Sequence, residues 1–163
     1  MAEPVRIFIS AGEASGDFYG ASLIEAVRAR LGAAEFFGCG GDGMRAAGCD
    51  TLVDAHQIAM VGLVEVIPGL ARAWRALRTL RKAITRNRPA LAILIDFPDF
   101  NLRLAKHLKR AGVPVIYFVA PQVWAWRAWR LKAIRKSVDR LLCIFPFEEM
   151  FFRNAGVEVE FVG

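Results

Sequence analysis

One carboxylate stands at the end of the most apolar segment of the chain. Residues 91–101 read LAILIDFPDFN, with five apolar residues directly before Asp96. Pro89 and Pro98 bound this segment, a pattern typical of a strand buried on both faces of a parallel sheet. Asp96 is then predicted at the carboxyl end of a central strand, where open α/β sheets bind their ligands. A carboxylate in that position is suited to act as a general base.

Asp96 also has a purely structural interpretation, as a carboxylate that caps the following helix. Asp99 and Asn101 lie nearer to the predicted helix start and suit that role better. We therefore expect Asp96 to be available for proton transfer, with Asp99 or Asn101 as the cap.

Strand and helix patterns alternate along the sequence, which predicts a Rossmann-like α/β fold with helices on both faces of a parallel sheet. Predicted strands cover residues 5–10, 35–38, 91–95, 113–119, 141–145 and 157–162. Predicted helices include residues 18–31, 44–47, 70–88 and 147–154. Residues 39–43 are predicted as a glycine-rich loop and residues 51–60 as irregular. The helix at 70–88 is predicted to bury Leu70, Trp74, Leu77, Leu80 and Ile84.

A loop of small residues, AGEASGD at 11–17, follows the first predicted strand. Gly12 and Gly16 are spaced G-x-x-x-G rather than G-x-G-x-x-G, and no P-loop lysine follows, so a dinucleotide site is weakly supported. Ser15 or Asp17 capping the next helix is at least as well supported as a ligand contact. Both roles are compatible, because helix N-termini favour anions.

Several polar loops should meet at one edge of the sheet, because each follows a predicted strand. They contain Glu13, Gly40 with Gly41, Asp96, and Gln122 with Trp124. This convergence predicts one site at the carboxyl edge.

The positive charge is concentrated in the middle of the chain. Residues 66–138 contain sixteen lysines and arginines and only two acids, within a total net charge of +6. A segment this basic is expected to meet an anionic partner, although most charged helix faces are simply solvated. The side chains predicted to contact anionic lipid are Arg72, Arg75, Arg78, Lys82, Trp126 and Arg127. The apolar segment 61–67 is either core, which is the favoured interpretation, or a patch that meets an acyl chain.

Other classes of site have little support. Three widely spaced cysteines and two isolated histidines predict reduced thiols and no metal site, and we expect no cofactor. No apolar segment approaches the roughly 20 residues that span a bilayer. The N-terminal residues lack the basic start of a signal peptide, so a cytoplasmic protein is expected.

Five motifs together resemble one family, the lipid-A-disaccharide synthases, which are glycosyltransferases of the two-domain GT-B type. The motifs are AGEASGD at 11–17, GLVEV at 62–66, DFPDFN at 96–101, PQVWAW at 121–126 and FPFE at 145–148. Their order and spacing also fit, so the resemblance covers the whole chain. Ala120 stands where the family often has serine.

The resemblance implies a reaction and a set of residues. The 6-hydroxyl of lipid X (2,3-diacylglucosamine 1-phosphate) attacks the anomeric carbon of UDP-2,3-diacylglucosamine with inversion and release of UDP. Asp96 falls on the position of the catalytic base. Substrate binding is expected from residues of the matching motifs, namely Gly12, Glu13, Ser15, Gly16, Asp17, Glu65, Asn101, Gln122 and Trp124. The acylated substrates imply a peripheral enzyme on the cytosolic face of the bacterial inner membrane.

The resemblance also implies a domain arrangement. Residues 1–163 correspond to a single acceptor-side domain, the N-terminal half of a GT-B enzyme, and the UDP-sugar-binding domain of the family has no counterpart here. We therefore expect this chain alone to be inactive or nearly so. The competing hypothesis is a non-catalytic basic α/β module that binds anionic membrane lipid or, with less support, nucleic acid.

Overall fold

A seven-stranded sheet runs through the protein, and every neighbouring pair of its strands is parallel. The computed structural model describes residues 4–59, 66–122 and 128–163. The strands are β1 (Val5–Ala11), β2 (Ala34–Gly40), β3 (Cys49–Asp54), β4 (Leu91–Ile95), β5 (Val115–Phe118), β6 (Arg140–Cys143) and β7 (Val159–Phe161). Their order across the sheet is β3-β2-β1-β4-β5-β6-β7.

Helices form the connections between the strands, as parallel pairing requires. Within the described residues they are α1 (Ala14–Leu31), α2 (Asp42–Ala46), α3 (Ala55–Ala59), α4 (Val66–Asn87), α5 (Pro98–Arg110), α6 (Ala128–Ser137) and α7 (Pro146–Asn154). None of these helices is long and apolar enough to cross a membrane.

The two faces of the sheet carry separate hydrophobic cores. Alternate residues of β1 point to opposite faces, so Ile7 and Ile9 belong to the core with Ile24 of α1, while Phe8 belongs to the core with Leu80 of α4. Complete burial of such side chains stabilises the fold by about 1.5–3 kcal/mol each. The predicted Rossmann-like sheet with helices on both faces is confirmed.

The prediction of irregular structure at 51–60 was wrong, because β3 and α3 occupy most of it. β3 lies at the edge of the sheet and pairs only with β2, so one of its two hydrogen-bonding edges has no neighbouring strand in the described sheet. Cys49 and Val53 are buried while Asp50 and Leu52 are exposed. A half-solvated edge strand therefore lacks the continuous apolar run by which β4 was recognised.

The apolar face predicted for α4 was partly wrong. Leu77, Leu80 and Ile84 are buried, but Leu70 is 60 % exposed and Trp74 is 66 % exposed. The helical spacing is regular over all five residues, yet only the C-terminal half of α4 lies against the core.

The glycine-rich loop predicted at 39–43 is also shorter than expected. β2 extends to Gly40, and α2 begins at Asp42. Gly40 lies against the Met44 side chain, since a Cβ added at this glycine would stand only 2.6 Å from the Met44 sulfur. Close approach of α2 to β2 therefore explains this glycine without a ligand.

Candidate functional site

A strained turn carries Asp96 beyond the end of β4. The Asp96 N–H donates to the Phe118 carbonyl at 2.9 Å, so Asp96 is still tied to β5. Asp96 and Phe97 then adopt left-handed conformations, with φ of 44° and 50°. Such conformations cost free energy in residues other than glycine and persist only where the surroundings enforce them, most often at functional sites. α5 begins immediately afterwards at Pro98.

Two buried side chains hold this turn through the Asp96 carbonyl. The Tyr117 hydroxyl donates to that oxygen at 2.6 Å, and the Asn101 amide donates to it at 2.8 Å. Asn101 also donates to the Ile95 carbonyl at 3.1 Å and accepts from the Ser10 hydroxyl at 2.7 Å. Burial raises the pKa of Tyr117 well above its ordinary value, so its hydroxyl keeps the proton it donates.

The helix cap expected from Asp99 or Asn101 is absent, so that prediction was wrong. Phe97 occupies the N-cap of α5, where no side-chain capping bond is made. Asn101 is instead fully buried beneath the turn. Contact between Asn101 and substrate stays a prediction, and the burial of this side chain does not favour it. Asn101 instead stabilises the Asp96 turn by its hydrogen bond to the Asp96 carbonyl.

Gly12 leaves room for the Phe97 ring. A Cβ at position 12 would stand 2.2 Å from Cδ1 of Phe97, well inside any real contact distance. The ring in turn packs beside Phe100, with centroids 5.6 Å apart. Gly12 therefore allows the end of β1 to pack against the turn that carries Asp96.

The electrostatic surroundings make Asp96 a stronger base than an exposed aspartate. Burial raises the pKa of its carboxyl, and a hydrogen bond from the Phe97 backbone and the positive charge of Arg130 oppose this rise only in part. Arg130 of α6 is largely buried, with 12 % of its side chain exposed, and pairs with Asp99 at 2.8 Å. A carboxylate with a raised pKa and partial access to solvent suits proton removal from a hydroxyl group.

The residues of the AGEASGD loop do not all face the site. Glu13 and Ser15 are exposed, and Glu13 is the N-cap residue of α1. Gly16 is buried, and a Cβ there would lie 3.2 Å from the Ala11 Cβ, so this glycine lets α1 pack against β1.

Asp17 has a role that the sequence did not suggest. Its carboxylate accepts hydrogen bonds from the backbone N–H groups of Gly41, Gly43 and Met44, at 2.7, 2.8 and 3.1 Å. Asp17 thus caps α2, and its predicted capping of α1 was wrong, as was that of Ser15, because α1 has no side-chain capping bond. The anion-binding donors of the α2 N-terminus are occupied by this side chain.

The carboxyl ends of β1, β2, β4 and β5 lie along one edge of the sheet, as predicted. This edge carries Glu13, Gly40, Gly41 and Asp96, and Gln122 is exposed beyond β5. The predicted contacts Glu65, Trp124, Trp126 and Arg127 lie outside the described residues, as does most of the apolar segment 61–67. Substrate contacts by any of these side chains stay predictions.

The basic stripe predicted on α4 divides between two grooves. Arg72 and Arg75 line a groove of about 560 Å³ beside β3 and α3. Arg78 and Lys82 line a second groove, of about 810 Å³, between α4 and α5. All four side chains are exposed, and their contact with lipid stays a prediction.

Three residues of the site were missed from the sequence, namely Ser10, Tyr117 and Arg130. Tyr117 carried a usable signal, because a tyrosine in a buried strand needs a hydrogen-bond partner for its hydroxyl. Ser10 and Arg130 carried none, since their partners are 91 and 31 residues away along the chain. Among the described residues no group of histidine, cysteine or acidic side chains could hold a metal ion.

The chain is similar in sequence to known proteins over nearly its whole length. The family model described as lipid-A-disaccharide synthetase matches residues 7–163. Lipid-A-disaccharide synthase of Myxococcus xanthus is 50 % identical over the whole chain, which covers 43 % of that relative. Lipid-A-disaccharide synthase of Trichlorobacter lovleyi is 52 % identical, again over the whole chain and 43 % of the relative.

The fold has a counterpart among solved structures at low sequence identity. The crystal structure of MurG from Acinetobacter baumannii superposes with a TM-score of 0.59 at 11 % identity, covering 88 % of this chain and 42 % of that one. The chain thus spans less than half the length of the curated relatives it matches. Because the family model covers nearly all of its residues, the chain belongs to the lipid-A-disaccharide synthetase family.

Proposed function

We propose that this chain forms the acceptor side of a lipid-A-disaccharide synthase, an inverting hexosyltransferase with the two-domain GT-B arrangement, and that Asp96 is its catalytic base. The observation that carries the proposal is the Asp96 turn. A carboxyl with a raised pKa is held in a strained conformation at the ligand-binding edge of a chain that belongs to this family. Family membership supplies the reaction class, and the turn supplies the group that starts the reaction.

In the proposed mechanism, the Asp96 carboxylate accepts the proton of the 6-hydroxyl of lipid X. The oxygen then forms a bond to the anomeric carbon of UDP-2,3-diacylglucosamine on the face opposite the UDP group. The bond from that carbon to the UDP oxygen breaks, UDP leaves with the electron pair, and the configuration inverts. No cofactor takes part in this proposal.

The buried partners of Asp96 have a positioning role in this proposal. Tyr117 and Asn101 bind its carbonyl oxygen and not its carboxylate, which is thereby left to act on the substrate. Fixing the base in advance lowers the entropic cost of reaching the reactive geometry. We propose that most UDP-sugar contacts come from the part of the relatives that this chain does not cover, so residues 1–163 alone are inactive or nearly so.

The acylated substrates suggest where the enzyme acts. We propose peripheral binding at the cytosolic face of the bacterial inner membrane. The exposed cations Arg72, Arg75, Arg78 and Lys82 support this proposal, as do the exposed Leu70 and Trp74 on the same helix. Cations with apolar side chains on one surface helix are typical of binding to an anionic bilayer.

An activity assay of a fusion protein tests the proposed base. The chain is joined to the part of the Myxococcus xanthus relative that it does not cover, and disaccharide formation from lipid X and the UDP-sugar is measured. Asp96→Asn should reduce kcat by about 10²–10⁴-fold, the usual contribution of a general base. Asp50→Asn, an exposed carboxylate on β3, is the matched control and should leave kcat unchanged.

The alternative of a non-catalytic binding module predicts another outcome. It is favoured by the same exposed cations, and it predicts that the fusion protein forms no disaccharide with either aspartate or asparagine at position 96. Unchanged turnover in that variant would exclude Asp96 as the base. If Asp96→Asn loses turnover but still binds vesicles as the unchanged protein does, lipid binding is not the only function of the chain.

A further inference from the structure

The groove between α4 and α5 is lined by cations without a balancing acid. α4 contributes Arg78, Arg81, Lys82 and Arg86, and α5 contributes Arg103. Among the described residues, no acidic side chain lines this groove and none of these cations forms an ion pair with a carboxylate. Like charges held this close destabilise the folded chain, and a bound anion would relieve their repulsion.

Arg81 adds an unsatisfied donor to this arrangement. Its Nε is buried and has no acceptor in the part of the chain that the structure describes. Such a donor costs free energy in the absence of an anion. Arginine is also the side chain whose geometry best matches phosphate oxygens, because its planar group donates two parallel hydrogen bonds.

His107 joins the two walls of the groove. Its Nε2 lies 3.4 Å from the Thr85 hydroxyl, and the ring also hydrogen-bonds to the Arg81 backbone. Burial lowers its pKa, and the charges of Arg81 and Arg110 lower it further. The ring therefore reports on the charge in the groove, because a bound anion would counteract those two cations.

The size and rim of the groove indicate what kind of phosphate compound fits. Its volume of about 810 Å³ exceeds what a single phosphate ion fills. Trp74, which is 66 % exposed, lies at its rim, and Leu77 contributes to its wall. A groove that combines several cations with apolar side chains suits a phosphate group attached to a larger, partly apolar molecule.

We propose that the groove between α4 and α5 is a phosphate-binding site, separate from the Asp96 turn, which takes either a phospholipid headgroup or a soluble phosphate compound. Arg103 and His107 lie five and nine residues beyond Pro98, the first residue of α5, and therefore roughly 8 and 14 Å along the helix axis from its start. The site does not depend on the proposed glycosyl transfer, whereas its phospholipid alternative rests on the proposed membrane binding, which shares Trp74, Arg78 and Lys82.

Histidine NMR on the 163-residue chain tests this proposal. The chain has two histidines, and His56 on α3 is exposed and outside the groove. Sodium pyrophosphate is titrated at constant ionic strength, with sodium chloride as the reference salt. A saturable shift of the His107 ring signals, with His56 unaffected, is expected for binding of a soluble phosphate compound.

Vesicles distinguish the lipid source of the phosphate. If phosphatidylglycerol vesicles change the His107 signals and neither phosphatidylcholine vesicles nor pyrophosphate does, the ligand of the groove is a phospholipid headgroup. If pyrophosphate and both kinds of vesicle leave His107 unaffected, or if chloride shifts it equally, the proposal is overturned.

Charge-matched variants locate the binding in the groove. Arg81→Gln with Arg103→Gln should weaken binding of the effective probe about tenfold or more, since charge-assisted contacts are lost. Arg30→Gln with Arg135→Gln removes two exposed arginines elsewhere and should change affinity by less than about twofold. Lys82→Gln with Arg86→Gln gives a second test that leaves the partly buried Arg81 in place, and unaltered affinity in both groove variants contradicts the proposal.

Discussion

The Tyr117 hydroxyl and the Asp96 carbonyl are 2.6 Å apart, and this hydrogen bond joins the interior of β5 to the residue that follows β4. Tyr117 is fully buried, whereas Asp96 is only partly buried. The backbone of the proposed base is thus anchored in the core, although the residue itself is not fully enclosed. The strained turn at Asp96 and Phe97 depends on such anchors, because left-handed residues that bear side chains do not hold this conformation unaided.

Tyr117→Phe should destabilise the chain by about 0.5–1.5 kcal/mol, the usual net value of one hydrogen bond. The loss is limited because the Asp96 carbonyl keeps its bond from Asn101. Urea denaturation followed by circular dichroism measures the difference in the free energy of unfolding. Tyr19→Phe is the control, since Tyr19 is 40 % exposed, and equal effects in the two variants would show that the Tyr117 bond contributes nothing.

Ser10 and Asn101 should behave as a coupled pair. Ser10→Ala leaves the Asn101 side-chain oxygen without its 2.7 Å donor, and Asn101→Leu leaves the buried Ser10 hydroxyl without its acceptor. We expect each single variant to lose about 1–3 kcal/mol of stability, Asn101→Leu more because the Ile95 and Asp96 carbonyls also lose a donor.

A double-mutant cycle checks this coupling by chemical denaturation. The double variant should be more stable than the sum of the single losses predicts, because one unsatisfied polar group is removed together with the other. Additive losses would mean that the two side chains contribute independently. The exposed Ser22 provides a control for serine-to-alanine replacement in general.

Asp96→Asn should stabilise the chain at neutral pH. The pKa of Asp96 is higher in the folded than in the unfolded state, so the stabilisation from its protonated form is fully present below the unfolded pKa. That stabilisation is lost as the pH rises through the folded pKa, and the asparagine variant avoids this loss. Asparagine also tolerates the left-handed conformation well.

Thermal unfolding at pH 7 and pH 3 measures this difference. The melting temperature of Asp96→Asn should exceed that of the unchanged chain at pH 7, by about 2–4 °C for each kcal/mol in a domain of this size. The gap should shrink at pH 3, where the carboxyl is protonated in both states. A variant that is less stable at pH 7 would contradict the burial of this charge.

The cysteine thiols should be unreactive in the native chain. Burial raises the pKa of Cys39 and Cys49 to about 12, and it also raises that of Cys143. Only about one Cys39 or Cys49 thiol in ten thousand is then ionised at pH 8, and the thiolate is the reactive form. Titration with an aromatic disulfide reagent should detect three thiols in denaturant and essentially none in buffer. Rapid reaction of any thiol in buffer would show that its side chain is accessible.

Buried strands were the part of the fold that the sequence predicted best. β4 has apolar residues on both faces, so its position and the location of Asp96 at its end followed from a continuous apolar run between two prolines. β3 was missed because an edge strand with one solvated side shows only weak alternation. The exposure of Leu70 and Trp74 was missed because helical spacing reveals a common face but not whether anything covers it.

The contacts within the site were less predictable than its location. Asp17 and Asn101 were predicted to cap the helices in which they lie. Asp17 instead binds the start of α2, and Asn101 bridges β1 and the Asp96 turn. Asp17 accepts from Gly41, 24 residues away, and Asn101 accepts from Ser10, 91 residues away, so no short motif encodes these two bonds. A polar residue near a helix start can cap its own helix or one brought close by the tertiary fold, and only the structure distinguishes these cases.

Gly12→Ala should displace the turn that carries Asp96. The added methyl group would stand 2.2 Å from the Phe97 ring, so either the ring or the end of β1 must move. We expect a loss of about 1–3 kcal/mol, typical of inserting a methyl group into a packed site, and a changed pKa of Asp96 because its neighbour Phe97 shifts.

Carbon NMR of the aspartate carboxyl groups over a pH series, combined with denaturation, measures both effects of Gly12→Ala. Gly112→Ala is the control, because Gly112 has φ of +74° but no atom within 4 Å of an added Cβ. That control should lose stability through backbone strain alone and leave the titration of Asp96 unchanged. If Gly12→Ala also leaves that titration unchanged, Phe97 does not govern the surroundings of the proposed base. If the pKa of Asp96 shifts in Gly12→Ala and not in the control, packing at the end of β1 determines the conformation of the Asp96 turn.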